Sequence, residues 1–91
     1  MEQIQEYINK LCPTVMSVPQ DMLEAFIDLV HYCMRYPDVL LANPGLKEQL
    51  GVKVTQFAAL RHEDMRFVPV ATIERTVLAS QVFLYFLNNV V

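Results

Sequence analysis

The last twenty residues, Thr72 to Val91, constrain this chain more than any other stretch. At about 100° per residue, Ile73, Val77, Ser80, Leu84, Leu87 and Val91 form one stripe of a helix, and Ala79, Phe83, Phe86 and Val90 form a second beside it. Glu74, Gln81 and Asn88 make a narrow polar line, while Leu78 and Val82 fall outside both stripes. The pattern predicts a helix that is apolar over more than half its circumference. Such a helix has to be covered by the rest of the chain, by another molecule, or by both.

How much the rest of the chain can cover follows from its size. Ninety-one residues make one domain, 1–91, and a domain of this length buries roughly 60 to 65 % of its unfolded surface. Hydrophobic residues make up 54 % of the chain, at or above the globular average, so apolar surface is left over for self-association. The net charge of −3 argues against the broad basic surface of a non-specific nucleic-acid binder. Charge is divided unevenly. Residues 1–45 set Glu2, Glu6, Asp21, Glu24, Asp28 and Asp38 against Lys10 and Arg35, whereas residues 46–91 hold Lys47, Lys53, Arg61, Arg66 and Arg75 against Glu48, Glu63, Asp64 and Glu74. The acidic start Met1-Glu2-Gln3-Ile4-Gln5-Glu6 lacks the apolar run of a secretory leader, and a cytosolic protein is expected. The uncharged part of the last helix, Thr76 to Val91, is shorter than the roughly 20 residues a span requires, so no membrane anchor is expected.

Along the chain, Ile4, Tyr7, Ile8, Leu11 and Cys12 have the spacing of an amphipathic helix over residues 2–12, ended by Pro13. Ser17 and Gln20 have the spacing of a capping box, and Pro19 suits a first turn. From Pro19 to Tyr36 the residues Leu23, Phe26, Ile27, Val30, Cys33 and Met34 recur with helical period, opposite Asp21, Glu24, Asp28, His31 and Arg35. Tyr36-Pro37 interrupts this pattern, and residues 37–42 have room for one or two turns. Asn43-Pro44 reads as a helix cap with proline in the first turn, Gly51 as the stop of a short helix 45–50, and residues 55–62 as another short helix. Residues 63–70 have no helical period and contain Pro69, which predicts a loop or an extended arm. The expected fold is therefore all-α, a compact bundle of about five helices, two longer and three short, packed around the last one.

Residues 46–60 resemble a helix-turn-helix, with Leu46, Leu50, Val52, Phe57 and Leu60 in the apolar positions around the Gly51 turn. Lys47 occupies a place that this motif keeps small. The resemblance covers about 20 residues and implies a corner at 44–62 that would offer Lys53, Thr55, Gln56, Arg61 and His62 as candidate DNA contacts. Ala58 and Ala59 in the same stretch carry no base-reading groups.

Residues for chemistry are sparse. Cys12, Cys33, His31 and His62 are not paired at metal-ligand spacing, Ser17 and Ser80 are the only serines, and no glycine-rich phosphate loop is present. Neither a catalytic centre, a metal site, a cofactor nor a small-molecule substrate is expected. Cys33 reads as a free buried thiol late in its helix, where the dipole disfavours a thiolate. The four tyrosines, together with Met16, Met22, Met34 and Met65, instead favour protein contacts. The expected function is that of a small regulator, adaptor or chaperone-like protein, acting as a homodimer through its C-terminal helix or on another protein. Phe83, Phe86 and Val90 are the expected anchors, with Tyr32 and Tyr36 at the rim of a groove beside the last helix. The alternative is a helix-turn-helix transcription regulator that binds DNA through residues 44–62.

Overall fold

A computed structural model describes residues 2–11 and 18–90, apart from the side chains of residues 2–4 and 62. Cys12, Met16, Ser17 and Val91 lie outside the described residues. Five α-helices follow one another: α1 (Glu2–Lys10), α2 (Gln20–Arg35), α3 (Asp38–Leu41), α4 (Pro44–Ala58) and α5 (Val70–Asn89), with a 3-10 turn at His62–Met65 between the last two. The all-α expectation holds. Three of the helices are long, however, rather than two.

The reason lies at Gly51, where the expected stop does not occur and α4 runs on to Ala58 without a break. Gly51 has no positive φ and nothing lies within 4 Å of the place where a Cβ would stand. Leu46, Leu50, Val54 and Phe57 are all buried, and their spacings of four, four and three residues make one continuous stripe through the glycine. A glycine inside a helix costs roughly 1 kcal/mol, whereas each large buried side chain contributes about 1.5–3 kcal/mol, so the stripe prevails. Val52, expected to pack at a corner, is exposed. In place of the sequence-predicted turn at Gly51 there is one continuous helix over Pro44–Ala58, and the chain turns later, at Ala59 to Arg61.

On α2, Leu23, Phe26, Ile27, Leu29, Val30 and Cys33 are buried, and Asp21, Asp28, His31 and Arg35 face outward. Gln20 donates its side-chain amide to Glu24 at 3.2 Å, and α2 begins after Pro19 without a side-chain cap bond; the expected capping box with Ser17 falls outside the described residues. Asn43-Pro44 opens α4 as its residues suggest, although the Asn43 amide donates to the Val39 carbonyl rather than capping the helix. The segment after α4 is better ordered than an arm. The Arg61 N–H donates to the Asp64 carboxylate at 2.9 Å, and the Asp64 carbonyl accepts the Val18 N–H at 3.0 Å. Met65 and Val68 are buried beneath it.

α5 makes its principal contacts with α2 and α4 and completes the core between them. Phe26 of α2 and Phe57 of α4 stack with ring centroids 4.3 Å apart, closing that core from the other side. α1 is attached through buried Ile8 and Leu11 and by two polar ties to α4: Gln5 to Gln49 at 3.2 Å, and the Lys53 ammonium to the Leu11 carbonyl at 2.7 Å. A lysine on the carbonyls that follow a helix end also suits the helix dipole.

Candidate protein-interaction surface

The inner arc of α5 consists of Thr72, Ile73, Thr76, Ala79, Ser80, Phe83, Phe86 and Leu87. Three of these are hydroxyl residues, and two of the hydroxyls are satisfied within the helix: Thr76 donates to the Thr72 carbonyl at 2.8 Å and Ser80 to the Thr76 carbonyl at 2.9 Å. That local bond lets a small polar side chain enter the core without an orphaned donor. Phe83 is 0 % exposed and Phe86 is 7 % exposed. Both expected anchors are therefore spent on the chain's own core, with ring centroids 6.2 Å apart, and neither is open to a second molecule. Of the three expected anchors only Val90, at the end of α5, is exposed.

The outward arc carries Val70, Val77, Leu78, Val82, Leu84 and Tyr85, all exposed; Leu78 is 61 % and Tyr85 67 % accessible. Two hollows flank it. Toward α2, a groove of about 310 Å³ is lined by Ile27, Val30 and Met34 of α2 and Leu78, Ala79 and Val82 of α5, with His31 and Arg75 at its edges. Toward α4, a smaller hollow is lined by Ala58, Val77, Ser80, Gln81 and Leu84. This is the largest run of exposed apolar side chains on any one helix of the described chain. By length and composition α5 would suffice to cross a membrane, yet its inner arc already packs on α2 and α4.

Tyr32 and Tyr36 are exposed and lie against each other, ring centroids 5.0 Å apart, with the Arg35 guanidinium 5.8 Å from the Tyr36 ring. They do not line the α2–α5 groove, whose α2 wall is Ile27, Val30, His31 and Met34. At about 100° per residue, Tyr32 and Tyr36 stand on the other flank of α2. The five residues expected to form one interface are thus dispersed over the core, one flank of α2 and the end of α5.

The expected DNA contacts are spread along α4 and the turn that follows it, with Thr55, Gln56 and Arg61 exposed. Lys53 is half-buried and its ammonium is held by the Leu11 carbonyl. Arg61 is paired with Glu63 at 2.6 Å and with Asp64 at 3.5 Å. Thr55 donates to the Gly51 carbonyl, Gln56 is exposed on the same continuous helix, and the His62 side chain lies outside the described residues. The backbone N–H of Arg61, with its guanidinium beside the carboxyl, holds Asp64 below the usual aspartate range.

Cys33 is free and buried, and burial raises its thiol to about 11. At neutral pH it is a protonated core side chain. Among the described residues no cluster of three histidine, cysteine or carboxylate side chains is placed to hold a metal ion.

The sequence pattern places the anchors on the Phe83-Phe86-Val90 stripe and does not single out Val77, Leu78, Leu84 and Tyr85 as the exposed arc. The usable signal was Thr72-Thr76-Ser80, small residues four apart that can satisfy their own hydroxyls and sit close to a neighbouring helix. Comparison with protein-family models, with curated proteins and with solved structures finds no match to this chain.

Proposed function

We propose that this chain is a non-enzymatic interaction module, a small regulator or adaptor, that acts through protein contact and assembles with a second copy along the outward arc of α5. The observation that carries this reading is the concentration of large exposed apolar side chains on one helix, on the side away from the core. Contiguous apolar patches of this kind mark contact sites on soluble domains. The anchors are Leu78 and Tyr85, with Val77 and Leu84 beside them.

Sedimentation of the full chain over a range of concentrations tests this. The wild type is expected to be a dimer at micromolar concentration. The double variant Leu78→Asp, Tyr85→Asp is expected to keep its helical circular dichroism and sediment as a monomer, with a dimer dissociation constant raised at least about tenfold, or about 1.4 kcal/mol. A wild type that stays monomeric at every concentration sinks the reading.

A further inference from the structure

The outward arc of α5 has an internal order that the fold itself does not use. Glu74, Gln81 and Asn88 stand at intervals of seven residues, all exposed, with no side-chain partner among the described residues. Seven residues return to nearly the same side of a helix, so the three make a polar line down the middle of the arc. Val77 and Leu84 flank it on the α4 side, where both line the hollow beside Ala58. Leu78 and Tyr85, again seven apart, flank it on the α2 side, Leu78 lining the groove there.

Resting on the dimer reading above, we propose that the second copy docks with its α5 antiparallel and Gln81 on the twofold axis. Counting outward from Gln81, Glu74 then stands opposite Asn88 of the second copy. A twofold axis that reverses the helix direction keeps the α2 flank facing the α2 flank, so Leu78 meets Tyr85 and Val77 meets Leu84 of the other copy. Every contact off the axis occurs twice, as an isologous interface requires.

Chemistry selects this orientation over the parallel one. In the antiparallel pair the Asn88 amide donates to the Glu74 carboxylate, and the two Gln81 amides exchange N–H···O bonds across the axis. The two Glu74 carboxylates are then offset along the pair by about 21 Å, beyond the roughly 8 Å screening length at physiological salt. A parallel pair sets Glu74 on Glu74, and a shift of one turn leaves carboxylate and amides against Val77, Leu78, Leu84 or Tyr85. Buried polar residues are costly when unpaired, so a central polar line fixes register and direction. An unrelated protein would need to carry the same alternation by coincidence, whereas this chain reads alike from both ends of α5.

Cysteine cross-linking in the full chain tests the register, with Cys12→Ser as background and Cys33 left in the core. Helices packed 8–10 Å apart bring facing Cα atoms on a twofold axis within disulfide reach. Gln81→Cys is expected to give a covalent dimer under mild oxidation. Glu74→Cys alone is expected to stay uncross-linked, and to link when mixed with Asn88→Cys. As a second readout, Gln81→Glu is expected to raise the dimer dissociation constant at least tenfold at pH 7. Self-linking of Glu74→Cys overturns the antiparallel register. A wild-type dimer that the Leu78→Asp, Tyr85→Asp change disperses, but in which none of these positions links, overturns the register while the dimer reading stands, and a wild-type monomer overturns both.

Discussion

α2 and α5 are the two longest helices and lie against each other, yet they distribute their side chains in opposite ways. α2 turns six hydrophobic residues inward and leaves a mostly polar outer face of Gln20, Asp21, Asp28, His31 and Arg35, with Tyr32 and Met34 exposed only near its end. α5 turns Thr72, Thr76 and Ser80 inward along with its phenylalanines, and leaves Val77, Leu78, Leu84 and Tyr85 outside. α2 is the pattern of a helix selected for one core. In α5, apolar residues are spent where folding does not need them, and hydroxyls fill places where larger apolar residues are the rule. The difference separates a helix that serves the fold from one that serves the fold and a contact.

The sharpest test of that division compares the two sides of α5. Phe83→Ala, on the inner arc, is expected to lower stability by about 3–5 kcal/mol in urea denaturation, a large part of what a domain of this size possesses. Leu78→Ala, on the outer arc, is expected to change the stability of the monomer by no more than about 0.5 kcal/mol. Similar losses for both variants would erase the distinction between inner and outer arcs.

A smaller effect of opposite sign tests whether α4 shares the uninterrupted apolar stripe of α2. Gly51→Ala adds a Cβ into open space on a helical backbone and is expected to stabilise the fold by about 0.5–1 kcal/mol. A loss of stability would restore a turn at Gly51.

The smallest effect concerns the turn that ties the beginning of α2 to the approach to α5. Asp64 is held below its ordinary value of 3.8, chiefly by the Arg61 N–H, so it contributes stability that is present above that value and lost as the pH falls through the lowered one. Asp64→Ala is expected to melt a few degrees below wild type at pH 7, with the two melting curves converging as the solution is acidified below about pH 4. A gap that stays constant into strong acid would mean that the carboxylate is not the group responsible.

The same comparison explains what was legible in the sequence. The period of Leu23, Phe26, Ile27, Val30 and Cys33 stated both that α2 is a helix and which way it faces, because its other side is charged. In α5 nearly every direction is apolar, so periodicity established the helix and left its orientation open. The stripe pattern points Phe83 and Phe86 outward, and they are inside, because α2 and α4 together select the arc with small residues beside the rings. At Gly51 local propensity predicts a stop, whereas the stripe Leu46-Leu50-Val54-Phe57 runs through it and carries the helix on. The order in residues 61–68 rests on the Val18–Asp64 backbone bond between segments far apart in sequence, which no local pattern announces.

The position of α5 in the chain has a consequence for how the protein is made. α5 follows every surface it packs on, so the faces of α2 and α4 that it covers leave the ribosome bare. At about 5–20 residues per second, the twenty residues of α5 take on the order of seconds to synthesise, and the core can close only when they have emerged. During that interval the nascent chain displays apolar surface that the finished fold conceals. Synthesis stalled between Pro69 and Phe83 would leave α2 and α4 uncovered, a product fit for a chaperone or a protease.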